Sequence, residues 1–471
     1  IKYDKNIRDY LHFQFHGKLT MISKKYPVGI CMDWQEEYKR KSISTKEAAR
    51  MVKSGDRVVF PGGRESYALG MALAARKDEL KNVEVQVPVP NYDFGWYDQG
   101  WQDSFQVTIM QATVLSQPAV DGKRIDFNTG TLLPFHESEE TRPPDVVFVE
   151  VSEPDEKGFC SFGASLWDKK RRIREAKLAI GEVNKNLIRT CGENFIHISE
   201  IDYFVEHVTS GGAPGQGSLA GRTLKKPELH IKPVADYVSG LIRNGDTIQI
   251  GVGRTTEHLV KMGMLDGKQD LGYHSEATPP GVISLIKEGV INGKRKTLNP
   301  GKAVVAAIGG STREEMEWVN NNPLFHVVEV DYLEDIRVIA AHDNMVAINQ
   351  ALAIDLTGQI AAETLGLQII SVAGGQIPFV FGAWLSRGGR AITVIPSTAQ
   401  GGKVSRIVPT LPVGTVVTIQ RNMADYVVTE YGIARLKGKT LRQRTQELIA
   451  VAHPDFRDGL QYEAQRLFWA S

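Results

Sequence analysis

Cysteine is scarce in this 471-residue chain: Cys31, Cys160 and Cys191 lie far apart, and none belongs to a Cys-x-x-Cys pair. That spacing excludes a disulfide framework and a zinc site, and it fits a reducing compartment. An excess of either charge is also missing. The 56 Lys and Arg against 55 Asp and Glu leave a net charge of +1. There is therefore no electrostatic footprint for nucleic acid or for an anionic membrane surface. Long apolar runs are absent. The longest uncharged stretch, Thr364 to Ser386, is broken by Gln368, Ser371, Gly374, Gly375, Gln376 and Pro378. A membrane span needs about 20 predominantly apolar residues, so this stretch reads as buried core and loop. The first thirty or so residues mix Lys2, Lys5 and Arg8 with Asp4 and Asp9 around no apolar signal core, and the expected location is the cytoplasm.

Several familiar site motifs fail on their residues. Gly251-Val-Gly-Arg-Thr-Thr256 begins like a dinucleotide fingerprint but has Thr256 where the third glycine belongs. No Walker loop occurs. Gly309-Gly-Ser-Thr-Arg313 is not a nucleophile elbow, and His274-Ser-Glu276 lacks the Pro-Cys-x-x-Cys partner of a zinc deaminase. No residue set points to a metal or a redox cofactor.

What the chain does contain is a repeat. Ser54-Gly-Asp-Arg-Val-Val-Phe-Pro-Gly-Gly63 and Asn244-Gly-Asp-Thr-Ile-Gln-Ile-Gly-Val-Gly253 align without a gap, and each follows a helical pattern, Thr45–Lys53 and Val234–Arg243. One helix, turn and strand unit used twice at this distance implies two related α/β domains and not a solenoid. With 42% hydrophobic and 24% charged residues, each can bury a sizeable core. Strand-like runs recur at Val83–Val89, Val146–Val151, Leu178–Val183 and Ile201–Val205. They resume at Thr247–Ile250, Ala303–Ile308, Val327–Val330, Gln368–Val372, Ala391–Ile395 and Thr415–Ile419. Their alternation with helical patterns predicts a largely parallel sheet in each half. The glycine cluster Ser210–Gly221 suggests a boundary at about residues 208–232. The expected division is an N-terminal extension (1–40), a first α/β domain (41–215) and a second (216–471).

Two segments have both a plain and a functional reading. Lys169-Lys-Arg-Arg-Ile-Arg174 reads as a solvated helix face. Tyr92–Trp101, rich in aromatics, reads as domain packing, the alternative being the wall of a pocket for a bulky acid. Tight turns cluster around one acid, Glu276: Gly251 and Gly253 follow one strand, Pro279-Pro-Gly281 follows Glu276, and Gly374-Gly-Gln376 comes later. Glycines at strand ends let backbone N–H groups approach a phosphate or a developing oxyanion. On the residues alone, Glu276 reads as a surface acid at a helix start, and that plain reading outweighs a catalytic one.

The second half resembles the acetyl-CoA hydrolase/transferase family, the family I CoA-transferases of the 4-hydroxybutyrate and acetate type. The resemblance is carried by Gly251-Val-Gly253, by Leu271–Glu276 with Gly289–Asn292, and by Asp343–Asn349 with Asp355–Gln359. It continues through Gly374-Gly-Gln376, Pro396–Ala399, Ser405–Val408 and Tyr426–Ala434. The first half matches through Gly55-Asp56, Gly62-Gly63, Asp145-Val146 and Glu153–Phe159, but it has Phe60-Pro-Gly-Gly-Arg-Glu65 where relatives have a small-residue turn. That departure bears on acyl specificity and not on reaction type.

The resemblance implies two related open α/β domains with the active site at their interface. It also implies a homodimer and a nucleophilic glutamate at Glu276, attacking an acyl-CoA to form a glutamyl-CoA thioester by ping-pong kinetics. Backbone N–H groups of Val252 and Gly375 would hold the oxyanion, and Asn349 would help orient Glu276 or the acyl group. Gly251, Gly253, Gly374 and Gln376 would line the CoA site. Lys294, Lys296, Lys403 and Arg406 are either cations for its phosphates or ordinary surface bases. Coenzyme A would be a substrate, exchanged with small carboxylic acids, and no cofactor would be permanently bound. An acyl-CoA hydrolase on the same scaffold and a nucleotide-binding α/β protein without thioester chemistry are the other readings.

Overall fold

The structure, a computed structural model, describes residues 33–129, 142–208, 226–309 and 312–469. The chain divides into a short unit, Ile1–Arg40, and a large unit, Lys41–Ser471, and the described elements begin with a helix at Trp34–Lys41. Within the large unit the repeat is visible in atomic detail. Helix α1 (Thr45–Arg50) opens on a capping box in which Ser44 and Glu47 satisfy each other's backbone N–H groups. The Gly-Asp turn follows. Gly55 and Gly245 both take left-handed φ values, +80° and +84°, which favour glycine. Asp56 Oδ2 accepts the Lys53 N–H at 2.7 Å, and Asp246 Oδ2 accepts the Arg243 N–H at the same distance.

Each turn feeds the central strand of a sheet. The first sheet contains β1 (Arg57–Val59), β2 (Val83–Val87), β3 (Phe105–Ile109), β4 (Asp126–Phe127), β5 (Val146–Val151), β6 (Leu178–Val183) and β7 (Tyr203–Glu206). Its order is β4-β3-β2-β1-β5-β6-β7, and all its pairs are parallel. Helix α2 (Lys169–Glu175) lies between β5 and β6 in the chain, and α3 (Ile231–Leu241) precedes the second sheet. That sheet contains β8 (Thr247–Ile250), β9 (Gly272–Ala277), β10 (Ala303–Ala307), β11 (Phe325–Val327), β12 (Met345–Gln350), β13 (Arg390–Val394), β14 (Tyr426–Thr429) and β15 (Gly432–Arg435). Its order, β11-β10-β9-β8-β12-β13-β14-β15, repeats the first and adds one antiparallel edge strand. Helices α4 (Val330–Leu333), α5 (Ile336–Ala340) and α6 (Gln376–Leu385) complete the part that surrounds the site. The fold is thus α/β with two largely parallel sheets of one topology; strands such as β5 and β10 are buried along their whole length because both faces are covered, whereas β2 and β3 alternate.

The two halves are joined by backbone hydrogen bonds and isolated β-bridges. Leu166 N–H donates to Ala306 O at 2.9 Å and Ile308 N–H to Ala164 O at 2.7 Å, while Cys191 O accepts from Val327 N–H at 2.9 Å. Helix α2 belongs to this junction, which corrects its reading as a solvated face. Lys169 is buried with its Nζ donating to Ser165 O at 2.7 Å, Arg171 pairs with Asp331 at 3.2 Å, and Arg172 pairs with Asp168 at 3.0 Å. Sequence alone shows five basic positions; Asp168 and Glu175 of the same half and Asp331 of the other supply the acids that let Arg171 and Arg172 leave water.

Other differences are local. Thr415–Ile419 forms no strand and contributes one bridge, Ile360 to Ile419, because Tyr426–Thr429 occupies the place beside β13. Gln368–Val372 supplies only Gln368–Ile369, in a two-stranded hairpin outside the main sheet. The apolar run at Val327–Val330 ends its strand at Val327 and turns into α4. The glycine cluster 210–221 and Cys31 lie outside the described residues, and Cys160 and Cys191 are free thiols. Among the described residues no helix is long and apolar enough to cross a membrane.

The aromatic segment takes its packing reading. Phe94, Trp96 and Tyr97 are buried in the core of the first half, where Trp96 lies 4.7 Å from Phe94 and 5.8 Å from Phe60, ring centre to ring centre. Trp96→Ala is expected to lower stability by about 3–5 kcal/mol, read as an earlier urea midpoint. An unchanged midpoint with an altered preference among acyl donors would instead place this ring against substrate.

Candidate active site

Three adjacent parallel strands, β9, β8 and β12, end side by side, and their ends build the site. Strand β8 pairs with β9 as Thr247 to Gly272 and with β12 as Thr247 to Met345. Carried to the strand ends, those registers set Gly251 between Glu276 and Asn349. The closeness is real: a Cβ on Gly251 would lie 2.6 Å from Asn349 Oδ1. A crevice at the carboxyl ends of parallel strands is where open α/β sheets bind ligands.

Glu276 enters the site from β9 and is met by the start of α6. Gly375, the N-cap of α6, donates its backbone N–H to Glu276 Oε1 at 3.1 Å. Any Cβ at this position would fall 2.6 Å from the Glu276 carboxyl carbon, so only glycine lets the helix come this near. Gly374 makes the approach possible by taking a φ of +53°. A helix N-terminus favours an anion at this spot. Burial pushes the Glu276 carboxyl above the ordinary carboxylate range, and the Gly375 N–H opposes that rise. Part of the residue's surface remains open, as access by a substrate requires.

The other expected site residues divide by place. Val252 is half exposed at the turn after β8. That turn is pinned by Gln350, whose Oε1 accepts the Thr255 N–H at 2.8 Å and closely approaches Gly253. Asn349 exchanges hydrogen bonds with buried Gln249, at 3.0 and 3.1 Å, so in this state its amide is bound to Gln249. Gln376 is buried, with its amide nitrogen lacking an acceptor among the described residues. Arg406 donates to Thr398 O and Leu352 O, beyond the ends of β13 and β12, and exposed Lys403 sits in the adjoining hairpin. Ser397 of the same region bonds Glu430 beyond β14 through its N–H at 2.9 Å, joining two of the C-terminal motifs.

Lys294 and Lys296 are elsewhere. Their turn packs on the beginning of β9: Gly293 N–H donates to Leu271 O, and Lys296 Nζ donates to Tyr273 O and Lys302 O, each at 2.9 Å. This is the sheet edge opposite Glu276. Burial moves the Lys296 ammonium down to about 7, and its donors are committed to carbonyls, so it does not face a phosphate at the site.

Sequence reasoning missed three groups. Arg254 follows Gly253 and acts electrostatically on Arg406, adding a cation on the active edge. Gln249 holds Asn349 and the Ile348 N–H. Glu334, at the end of α4, is completely buried beside Glu276. In the sequence it stands between Asp331 and Asp335 and looks like one more acid of a solvated helix; no pattern distinguishes it.

A carboxylate met by a backbone N–H in a crevice where parallel strands end is the arrangement of an α/β enzyme's ligand site. Comparison with known proteins gives the family. The acetyl-CoA hydrolase/transferase N-terminal domain matches residues 29–210, and the C-terminal domain of the same family matches residues 311–464. The 4-hydroxybutyrate coenzyme A transferase of Clostridium kluyveri is 42% identical, covering 93% of this chain and 100% of that protein. The succinyl-CoA:cyclohexane-1-carboxylate CoA transferase of Geobacter metallireducens is 36% identical, with 92% and 97% covered. Among solved structures, RipA from Yersinia pestis has a TM-score of 0.84 at 32% identity, covering 93% of this chain and 99% of that one. The 4-hydroxybutyrate CoA-transferase of Porphyromonas gingivalis has a TM-score of 0.74 at 35% identity, with 92% and 100% covered. The chain belongs to the acetyl-CoA hydrolase/transferase family and is an enzyme of its CoA-transferase class. Glu276 falls between the two matched spans, so its role is argued from the geometry.

Proposed function

We propose that this enzyme moves coenzyme A from an acyl-CoA thioester to a small carboxylic acid through covalent intermediates on Glu276. The observation that carries this reading is the Gly375 N–H on Glu276 Oε1, at the carboxyl ends of β9, β8 and β12. A partly desolvated carboxylate is a better nucleophile than one in water. A Glu276 oxygen attacks the thioester carbonyl; the C–O bond forms, the C–S bond breaks, and CoA leaves as the thiolate. The thiolate then attacks the glutamyl carbonyl of the resulting anhydride, giving a glutamyl-CoA thioester and releasing the first acid as a carboxylate. A second carboxylate reverses both steps. The N–H groups of Gly375 and Val252 would receive the oxyanions, a contribution commonly worth roughly 10²–10³ in rate per donor. Arg254, Arg406 and Lys403 supply positive charge on this edge for the nucleotide phosphates.

The relatives' names join 4-hydroxybutyrate, cyclohexane-1-carboxylate and butyrate or acetate to CoA, so the donor panel starts there. A homodimer in the cytoplasm, with domains at 41–215 and 216–471, is the organisation the family resemblance implies; light scattering, cell fractionation and limited proteolysis test it. For the reaction, the enzyme is incubated with succinyl-CoA or another panel donor, treated with borohydride and digested for mass spectrometry. Reduction of a glutamyl thioester to the alcohol at Glu276, with loss of activity, is expected. An unmodified and fully active enzyme across the panel would remove Glu276 from the mechanism. Release of free CoA without an acceptor acid, at the rate of transfer, would favour hydrolysis.

A further inference from the structure

Glu334 has no solvent-accessible surface, and two packing contacts hold it at the nucleophile. His274 Nε2 bonds Leu333 O at 2.8 Å, and His274 precedes Glu276 by two residues on β9, hence on the same strand face. On the other side, Leu333 shares a core with Phe379 of α6, the helix whose Gly375 meets Glu276. The end of α4 is therefore clamped between the two elements that form the catalytic carboxylate's surroundings. The Glu334 carboxyl lies close enough to that of Glu276 for each to act on the other, and neither Glu334 oxygen receives a donor N–H or hydroxyl among the described residues.

A hydrogen bond between two carboxyl groups needs one proton, since ionised carboxylates only accept. Glu276 has the Gly375 donor and some open surface; Glu334 has neither, so the proton rests on Glu334. Burial first, and then the charge of Glu276, hold Glu334 well above the carboxylate range, whereas Glu334 acts to pull Glu276 down. The surrounding groups do not cancel this arrangement. Asp331 adds a carboxylate already paired with Arg171, and Glu329 lies at the start of α4, pushed up to about 7 by burial. Burial keeps His274 and His342 neutral, and Lys296 is spent at the far end of β9.

We propose that Glu334 is a positioning residue that donates its carboxyl O–H to the Glu276 carboxylate, fixing the nucleophile's direction and favouring its ionised form. This rests on reading Glu276 as the nucleophile. When Glu276 becomes acylated its charge disappears, and the same O–H donates to the glutamyl carbonyl oxygen; Glu334 keeps its proton throughout.

The test compares wild type, Glu334→Leu and Glu334→Gln by pH profile and by infrared spectroscopy of the resting enzyme. Glu334→Leu is expected to lower kcat by roughly 10²-fold, and Glu334→Gln, whose amide N–H can replace the O–H, to recover about tenfold of that loss. The acidic limb of kcat/KM should move to higher pH in Glu334→Leu, because Glu276 loses a donor, and return toward wild type in Glu334→Gln. The wild-type spectrum at neutral pH should contain a neutral-carboxyl C=O band that Glu334→Gln lacks. That measurement needs neither turnover nor a folded leucine variant. Coincident pH profiles in all three proteins, or a wild-type minus Glu334→Gln spectrum without that band, would overturn the proposal. Failure to trap an adduct on Glu276 while the band is present would strike the nucleophile reading and leave the carboxyl pair standing.

Discussion

Glu276→Gln is expected to lower kcat by roughly 10⁴-fold or more, the scale on which enzymes lose rate when a nucleophile is removed. The substitution isolates chemistry from structure. Glutamine has the same length and offers an amide oxygen to the Gly375 N–H, so the hydrogen bond at 3.1 Å can persist. An amide oxygen does not attack a thioester to give an anhydride, however, and no glutamyl adduct can form. Stability should hold or rise, because a carboxyl that burial already pushes toward its neutral form is replaced by a neutral group. Steady-state rates with saturating donor, together with a thermal melt, check both halves of the expectation. A variant that is stable and transfers CoA within about tenfold of wild type would be incompatible with covalent catalysis at this position.

Asp246→Ala should be the most destabilising of the substitutions considered for the second half. Asp246 and Arg390 are both buried and ion-paired, joining the Gly-Asp turn before β8 to the first residue of β13. Asp246 also accepts the Arg243 N–H at 2.7 Å. Alanine leaves a guanidinium inside the protein without its counter-ion, a situation that typically costs about 3–5 kcal/mol. The matching Asp56 of the first half makes the same turn bond to Lys53 N–H, in an exposed position and without a buried arginine. Asp56→Ala should therefore cost only about 1 kcal/mol. Urea midpoints of the two variants, side by side, test the difference. Equal shifts would mean that the turn, and not the buried pair, sets the cost. Combining Asp246→Leu with Arg390→Met should recover much of the loss, since an apolar replacement of both partners leaves no orphaned charge.

The repeat also shows how far the residues speak for themselves. Gly55-Asp56 and Gly245-Asp246 were legible as two copies of one unit, and the sheets they feed have the same strand order. Val146–Val151, Leu178–Val183 and Thr247–Ile250 are strands at the limits their apolar runs suggest, because a parallel strand covered on both faces must be apolar throughout. The run at Thr415–Ile419 is equally apolar and is not a strand. Whether such a run joins a sheet depends on which neighbour reaches the vacant edge first in space, and there Tyr426–Thr429 takes it. The cations divide in the same way. Arg406 and Lys296 look alike as basic residues near glycine turns, yet one is beyond the strand ends and the other at their beginnings.

The sequence by itself determined the α/β class, the doubled unit and the family, since these rest on periodicity, turn glycines and ordered motifs, all of which are local. Through the family resemblance it also pointed to Glu276 and to the glycines near it. Tertiary structure alone decided the rest. It turned Lys169–Arg174 from a solvated face into a junction between the halves, sent Lys296 to the far edge, and bound the Asn349 amide to Gln249. It also brought Glu334, one of several acids in its stretch of chain, into the dark beside Glu276. The physical reason is common to all four. The energy of a charge or an amide depends on whether it meets water or a partner, and partners far apart in the chain are chosen only when the sheets close around them.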